Sequence, residues 1–142
     1  MESGFLHWGH DISPEENQYE AGLNFAISYK KETNFIGKES LLKIKDKKQN
    51  RRFIMLSLKN SKPGTPLLLH EEPIYLGDKI IGRTTSGNYS FNYKKNMSFG
   101  YISSVHSNEE LSKMDLYIEV AKQKFSALVE ITPLKDKQAR FL

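Results

Sequence analysis

The chain has 142 residues, 38% of them hydrophobic and 27% charged, with 21 Lys plus Arg against 17 Asp plus Glu for a net charge of +4. That size and balance suit one folded domain with a true core and exclude an intrinsically disordered chain. There is no Cys, which removes disulfides, thiolate catalysis and Cys-type zinc sites. No apolar run approaches the ~20 residues that span a bilayer, and the opening MESGFLHWGH lacks the basic-then-apolar pattern of a secretory leader. The expectation is a cytoplasmic protein with no membrane association.

The stretch 5–25, FLHWGHDISPEENQYEAGLNF, holds Trp8, the single Trp, and two of the four His. His7 and His10 lie three apart, but no HExxH pattern or spaced carboxylate companion completes a metal site, so they are read as packing or hydrogen-bonding residues and no metal is assigned. Ser13-Pro14-Glu15-Glu16 is a helix-start signature: Ser13 caps, Pro14 occupies the first helical position, and Glu16 completes a capping box. Glu15 and Glu16 suit a helix dipole better than acid–base chemistry, because adjacent residues on a first turn diverge. Glu20 is placed to accept backbone N–H bonds, and Gly22 turns the chain. From Leu23, apolar Leu23, Phe25, Ile27 and Tyr29 alternate with Asn24, Ala26, Ser28 and Lys30, which predicts a strand with one buried face.

A polar turn over 30–34 leads to a short helix over 38–45, with Leu41 and Ile44 as its apolar stripe. Residues 43–52, KIKDKKQNRR, hold six cations and one acid. Such a run reads as a solvated boundary between two parts of the chain. Beyond it the pattern is β. Strands are predicted over 53–58, 73–76, 79–82, 97–102, 116–120 and 125–131, with loops or turns at 59–66, 77–78, 84–88 and 121–124. Gly100 marks a bulge or a close approach. Thr85-Ser86-Gly87 lacks a paired His and Asp and lacks the GxxxxGK[ST] pattern, so it reads as a turn and not as a nucleophile or phosphate loop. The fold class is α+β to mainly β: a short α/β segment, residues 1–50, of helix, strand and helix, followed over 51–142 by a small antiparallel β-barrel of about six strands.

Four motifs in order, GFLHWGHDISPEENQYEAGLNF, NFIGKESL, GRTTSGNYS and KKNMSFGYI, resemble the C-terminal portion of the aminomethyltransferase family, which includes the glycine cleavage T-protein. The HWG followed by a capped turn and EAGL looks most like the folate-binding part of dimethylglycine and sarcosine dehydrogenases. The resemblance covers about residues 4–133. It implies a C-terminal β-barrel within a three-domain arrangement that binds tetrahydrofolate and transfers a one-carbon unit to it from an amine such as glycine, sarcosine or dimethylglycine, giving 5,10-methylenetetrahydrofolate. It also implies that the catalytic Asp and the Glu that grips the pterin lie in an N-terminal half, and that an Arg lies two residues ahead of the position of Glu2. No catalytic residue is therefore assigned in this chain.

One folate contact is carried over, and a second residue is a candidate from the family's basic end. Phe25 stands where the T-protein has a Trp that packs on folate; Phe keeps the stacking face and loses the indole donor. Arg140, in the basic tail KDKQARFL, is assigned to the folate glutamate, since Arg suits carboxylates. For Phe25 the competing reading is plain core on the predicted strand, and for Arg140 it is a solvated terminus. The implied partner is the N-terminal folate-binding half or a flavin amine dehydrogenase domain, with a homo-oligomer left open. The runner-up function is a non-catalytic regulatory or interaction module of the same fold, favoured by Phe in place of Trp. A nucleic-acid-binding barrel is the weakest reading, because the aromatic residues Phe53, Phe99, Tyr101 and Phe125 occupy core-like positions. A chain that is part of a larger fold should expose apolar surface, with Phe5, Leu6 and Trp8 as the markers.

Overall fold

The computed structural model describes residues 1–103 and 106–130. Six antiparallel strands close into a barrel in the order β1-β4-β3-β2-β5-β6. They are β1 (Arg51–Leu58), β2 (Pro73–Leu76), β3 (Lys79–Ser90), β4 (Lys95–Ser103), β5 (Leu116–Val120) and β6 (Gln123–Glu130). Helix α1 (Lys38–Ile44) precedes the barrel and α2 (Asn108–Lys113) lies between β4 and β5. Closure leaves no free edge, the standing hazard of a small sheet. Among the described residues no helix is long and apolar enough to cross a membrane.

Alternation along β1 explains why so short a strand is buried on both faces. Ile54, Leu56 and Leu58 enter the barrel interior with Leu68, Ile74, Ile102, Leu111, Leu116, Ile118 and Ala127. The intervening Met55 joins Met97 and Phe99 in a second cluster, against which Met1, Phe53 and Tyr93 pack. Each fully buried Leu or Ile contributes about 1.5–3 kcal/mol by removal from water.

Gly100 is a close approach, as expected. It pairs with Ile54 on β1 and Thr84 on β3. A Cβ there would lie 2.5 Å from the Arg83 carbonyl oxygen and 3.1 Å from Ile74 Cδ1. The absent side chain is what lets Ile74 reach the barrel axis.

The structure corrects several expected elements. Residues 84–88 are not a turn but the middle of β3, where the register shifts between Thr84 and Ser86. The turn-type residues serve a bulge, and Gly87 lets Leu68 cross closely, since a Cβ there would lie 2.5 Å from the Leu68 Cβ. The β5–β6 turn is only Ala121-Lys122, both at positive φ (50° and 64°). Helix α2 is an addition to the predicted elements, capped by Ser107 and Glu110 in a reciprocal box.

In the N-terminal part, the helix expected at Ser13 is a single turn. Half of its capping box forms: Glu16 Oε2 accepts from the Ser13 N–H at 2.7 Å, but Ser13 Oγ accepts from the Glu15 N–H at 3.2 Å and the Glu16 N–H bonds the Ser13 carbonyl at 3.3 Å. No helix follows, because Asn17 Oδ1 immediately accepts from the Tyr19 and Glu20 N–H groups, at 2.9 and 3.0 Å, and starts a new turn. The strand expected over 23–29 is a 3-10 turn, Asn24–Ala26. A strand needs a ladder partner, and here the Ala26 and Ile27 N–H groups bond locally to the Leu23 and Asn24 carbonyls at 3.0 and 3.2 Å. The helix–strand–helix order expected for residues 1–50 is thus turn, 3-10 turn and helix.

Candidate functional site

The N-terminal stretch is not loose on the barrel. Three anchors fix it, each built from a carboxylate meeting groups that strands hold in place. The central one is Asp11, only 2% exposed. Its Oδ1 accepts from Thr85 Oγ1 at 2.6 Å and Ser86 Oγ at 2.7 Å, both on the β3 bulge. Its Oδ2 accepts from the His7 N–H at 2.9 Å, and its carbonyl accepts from the Tyr101 hydroxyl at 2.8 Å. The Thr85-Ser86 hydroxyls are thereby committed to positioning. The bulge aims both of them at one carboxylate, which a regular strand would not do because neighbouring side chains point to opposite faces.

The second anchor is Glu2, which accepts from the Ser90 hydroxyl and, at 2.6 Å, from the Asn92 amide. The Ser90 hydrogen bond, with help from Asn92, holds its carboxyl below the ordinary 4.5, against the opposing effect of burial. The third is Arg51, at the start of β1. It reaches Glu16 at 2.9 Å, Glu20 at 3.5 Å and the Glu15 carbonyl at 3.0 Å, and lies 5.3 Å from the Tyr101 ring centroid. Burial, reinforced by Glu16 and opposed by Arg51, pushes the Tyr101 hydroxyl well above its ordinary value of 10.0, so it stays a donor to Asp11. Glu20 also accepts from the Asn17 N–H at 3.3 Å, the turn-pinning role expected of it.

With the polar groups turned toward the barrel, the large apolar side chains face outward. Phe5 is 81% exposed, Trp8 65%, Phe25 82% and Ile36 103%. The His7 and His10 rings stack on one another at 4.7 Å. Two open grooves flank this face. A polar one of about 550 Å³ is lined by His10, Ser13, Glu16, Arg51, Arg83, Thr85 and Tyr101, among others. An apolar one of about 410 Å³ runs between the 3-10 turn and α1, lined by Leu23, Ala26, Ile27, Phe35, Ile36 and Leu41 with Gln18, Ser28 and Lys31. The Tyr19 hydroxyl supports its floor by donating to the Leu41 carbonyl at 3.4 Å and hydrogen-bonding Tyr29. Burial and that Tyr29 bond push Tyr19 up to about 12.

Phe25 therefore does not pack into a core; its ring is presented on the turn that forms one wall of the apolar groove. Arg140 lies outside the described residues. Asp11 and the Thr85-Ser86 pair that holds it were not assigned from sequence. The hydroxyl cluster was visible there, but its carboxylate partner is 74 residues away in the chain.

Residues 51–136 match the family described as the glycine cleavage T-protein C-terminal barrel domain. The chain belongs to that family. The match begins at residue 51, where β1 begins. Among curated relatives, 4-methylaminobutanoate oxidase (formaldehyde-forming) of Paenarthrobacter nicotinovorans is 31% identical over 99% of this chain and 16% of its own length. Dimethylglycine dehydrogenase of Rattus norvegicus is 33% identical over 84% of this chain and 13% of its own. Aminomethyltransferase of Listeria welshimeri is 33% identical over 94% of this chain and 35% of its own. In fold, the glycine cleavage system aminomethyltransferase T of Bartonella henselae superposes with a TM-score of 0.76 at 20% identity, over 93% of this chain and 36% of that one. The chain thus spans about a third or less of these proteins and corresponds to their C-terminal aminomethyltransferase-like portion.

Proposed function

We propose that this chain supplies the C-terminal part of a tetrahydrofolate-dependent aminomethyltransferase-like protein, in which a one-carbon unit passes from a small amine to tetrahydrofolate. The observation that carries the reading is Phe25, an aromatic ring 82% exposed on the turn whose Leu23, Ala26 and Ile27 line the apolar groove. A large exposed aromatic on a fixed turn contributes nothing to the core and is suited to stack on a flat heteroaromatic ring. The carboxylates of this face, Glu2, Asp11, Glu16 and Glu20, are taken up by Ser90 and Asn92, by Thr85 and Ser86, and by Arg51. They position the loop, and the acid–base chemistry belongs to the N-terminal half, from the same or another polypeptide. In that protein the chain's task is to close the folate cavity and present Phe25 to the ligand.

The test is titration with tetrahydrofolate, followed by Trp8 fluorescence and by calorimetry. It is run on the full chain alone and with the N-terminal portion of the Listeria welshimeri aminomethyltransferase. Binding should be saturable with both parts present and absent or much weaker with this chain alone. Phe25→Ala should weaken it by roughly tenfold, about 1.4 kcal/mol, while leaving the barrel's stability within ~0.5 kcal/mol. Unchanged affinity in Phe25→Ala would remove the assigned role. No binding in the combined sample would favour the non-catalytic module, to which the Trp-to-Phe difference also points.

A further inference from the structure

The 3-10 turn that carries Phe25 is not seated in a core. No residue of the turn or of α1 is buried, and the turn is closed by two local backbone bonds, from the Ala26 and Ile27 N–H groups. Bonds so few keep an exposed ring in place only where the ends of its segment are fixed. The front end is fixed to the barrel: Ala21 is 2% exposed, and the Glu20 carbonyl accepts from the Phe53 N–H of β1 at 2.7 Å. The rear end is fixed by a pair of side chains. Tyr29 hydrogen-bonds the Tyr19 hydroxyl, which donates in turn to the Leu41 carbonyl of α1 at 3.4 Å. Two further links hold the same parts together. Lys45, at the end of α1, lies 5.1 Å from the Tyr29 ring centroid, and Gln49 accepts from the Asn17 side-chain amide at 3.0 Å.

We propose that Tyr19 and Tyr29 form a clasp across the loop 20–28, and that the clasp positions the Phe25 ring, near the middle of that loop, for its ligand. The proposal rests on the reading of Phe25 as the residue that stacks on folate. Neither tyrosine is assigned a contact with the ligand; both are positioning residues that act through Phe25. The physics is that of a tied loop. Releasing its rear end returns backbone freedom to the residues around Phe25, and a ring that is correctly placed only part of the time binds more weakly by that fraction. The effect has a ceiling, because a residue acting through Phe25 cannot cost more than loss of the Phe25 ring. The clasp also holds across the neutral range: burial and the Tyr29 bond push Tyr19 up to about 12, so its hydroxyl keeps the proton it donates to Leu41.

Tyr19→Phe tests this, because it deletes one hydroxyl and keeps the ring. In the full chain alone, amide hydrogen exchange at Ala26 and Ile27 should quicken by about threefold to tenfold, while the Phe53 amide and the Tm of the barrel stay as in the parent. With the N-terminal portion of the Listeria welshimeri aminomethyltransferase present, tetrahydrofolate affinity should fall about fivefold, less than the fall in Phe25→Ala. In a Phe25→Ala background, Tyr19→Phe should add less than about twofold, and Tyr29→Phe should add as little to Tyr19→Phe. That dependence on the Phe25 ring separates positioning from a general loosening of the loop. Unchanged exchange at Ala26 and Ile27 in Tyr19→Phe would overturn the clasp whatever folate does. Faster exchange with full affinity, where Phe25→Ala still weakens binding, would refute the positioning role and leave the folate reading standing. So would a Tyr19→Phe loss that persists in full without the Phe25 ring. A parent sample that binds no tetrahydrofolate, or binds it equally well in Phe25→Ala, would sink the folate reading and the positioning role with it.

Discussion

Replacing Asp11 probes the joint that ties the N-terminal stretch to the barrel. Asp11→Ala removes three hydrogen bonds to one carboxylate, from Thr85, Ser86 and the His7 N–H, at 2.6, 2.7 and 2.9 Å. Hydrogen bonds to a charged group are worth about 1.5–3 kcal/mol each when a buried partner is left unmet. Two of the three donors are hydroxyls that can rotate to other acceptors or to entering water, so full additivity is excluded. The Tyr101 bond reaches the Asp11 carbonyl and survives the substitution. The expected loss is about 2–4 kcal/mol, or a fall in Tm of roughly 8–16 °C at about 4 °C per kcal/mol for a domain of this size. Asp11→Asn keeps one acceptor oxygen and should cost about half as much. Urea unfolding should be followed by circular dichroism for the barrel and by Trp8 fluorescence for the loop. In the parent the two transitions should coincide; in Asp11→Ala the fluorescence transition should move to lower urea. A change under ~0.5 kcal/mol with coincident transitions would show that Asp11 is not the joint, and the account of the anchors would fail.

The other predictions concern the barrel and the remaining anchors. Gly100→Ala should cost about 2–3 kcal/mol in chemical denaturation, because its Cβ meets backbone at Arg83 and cannot relax by a side-chain shift. Ala121→Asn with Lys122→Gly should raise stability by about 1 kcal/mol, since both turn residues now sit at positive φ, where Asn-Gly is favoured. Arg51→Met should lower stability by about 1–2 kcal/mol; the Arg51 side chain is 37% exposed, which discounts its ion pairs, but Glu16 and Glu20 at 11% would lose their cation. Glu2 has a depressed folded value, so its contribution is present above its ordinary 4.5 and is lost as pH falls through the lower folded value. Loop release seen by Trp8 fluorescence should therefore steepen below pH ~4.5, and Glu2→Gln should flatten that part of the profile.

Most of the barrel was legible because strands such as β1 carry their own period and the core comes from those same residues. Ile54, Leu56 and Leu58 declare an inward face without reference to anything distant. What was missed was non-local or chemically ambiguous. Thr84–Asn88 has the composition of a turn, and only the approach of Leu68 at Gly87 and of Asp11 at Ser86 reveals a bulged strand. Ala121-Lys122 carries no turn chemistry at all; the pairing of Val120 with Gln123 imposes the turn. For α2 the Ser107–Glu110 box was present in the sequence and passed over. At the candidate site, Glu20 and Gly22 were readable as local turn features, whereas Asp11 becomes visible only when β3 folds back over it.

The two parts of the chain differ in how their information closes. In the described residues of 51–130 the barrel interior is filled from within the same stretch, and there the alternation and the structure agree. In residues 1–50 the polar signals close, with Glu2, Asp11 and Glu16 all matched, but the apolar ones do not: Phe5, Trp8, Phe25 and Ile36 remain in solvent. An isolated exposed apolar residue is ordinary. Here they include Phe25 of the segment whose strand pattern goes unused, next in the chain to residues that line an open apolar groove. Satisfied polar contacts hold that face in position, so its exposure is a built feature of the fold and not fraying. That exposure is what supports the proposed reading of residues 1–50 as a surface for another part of a larger protein.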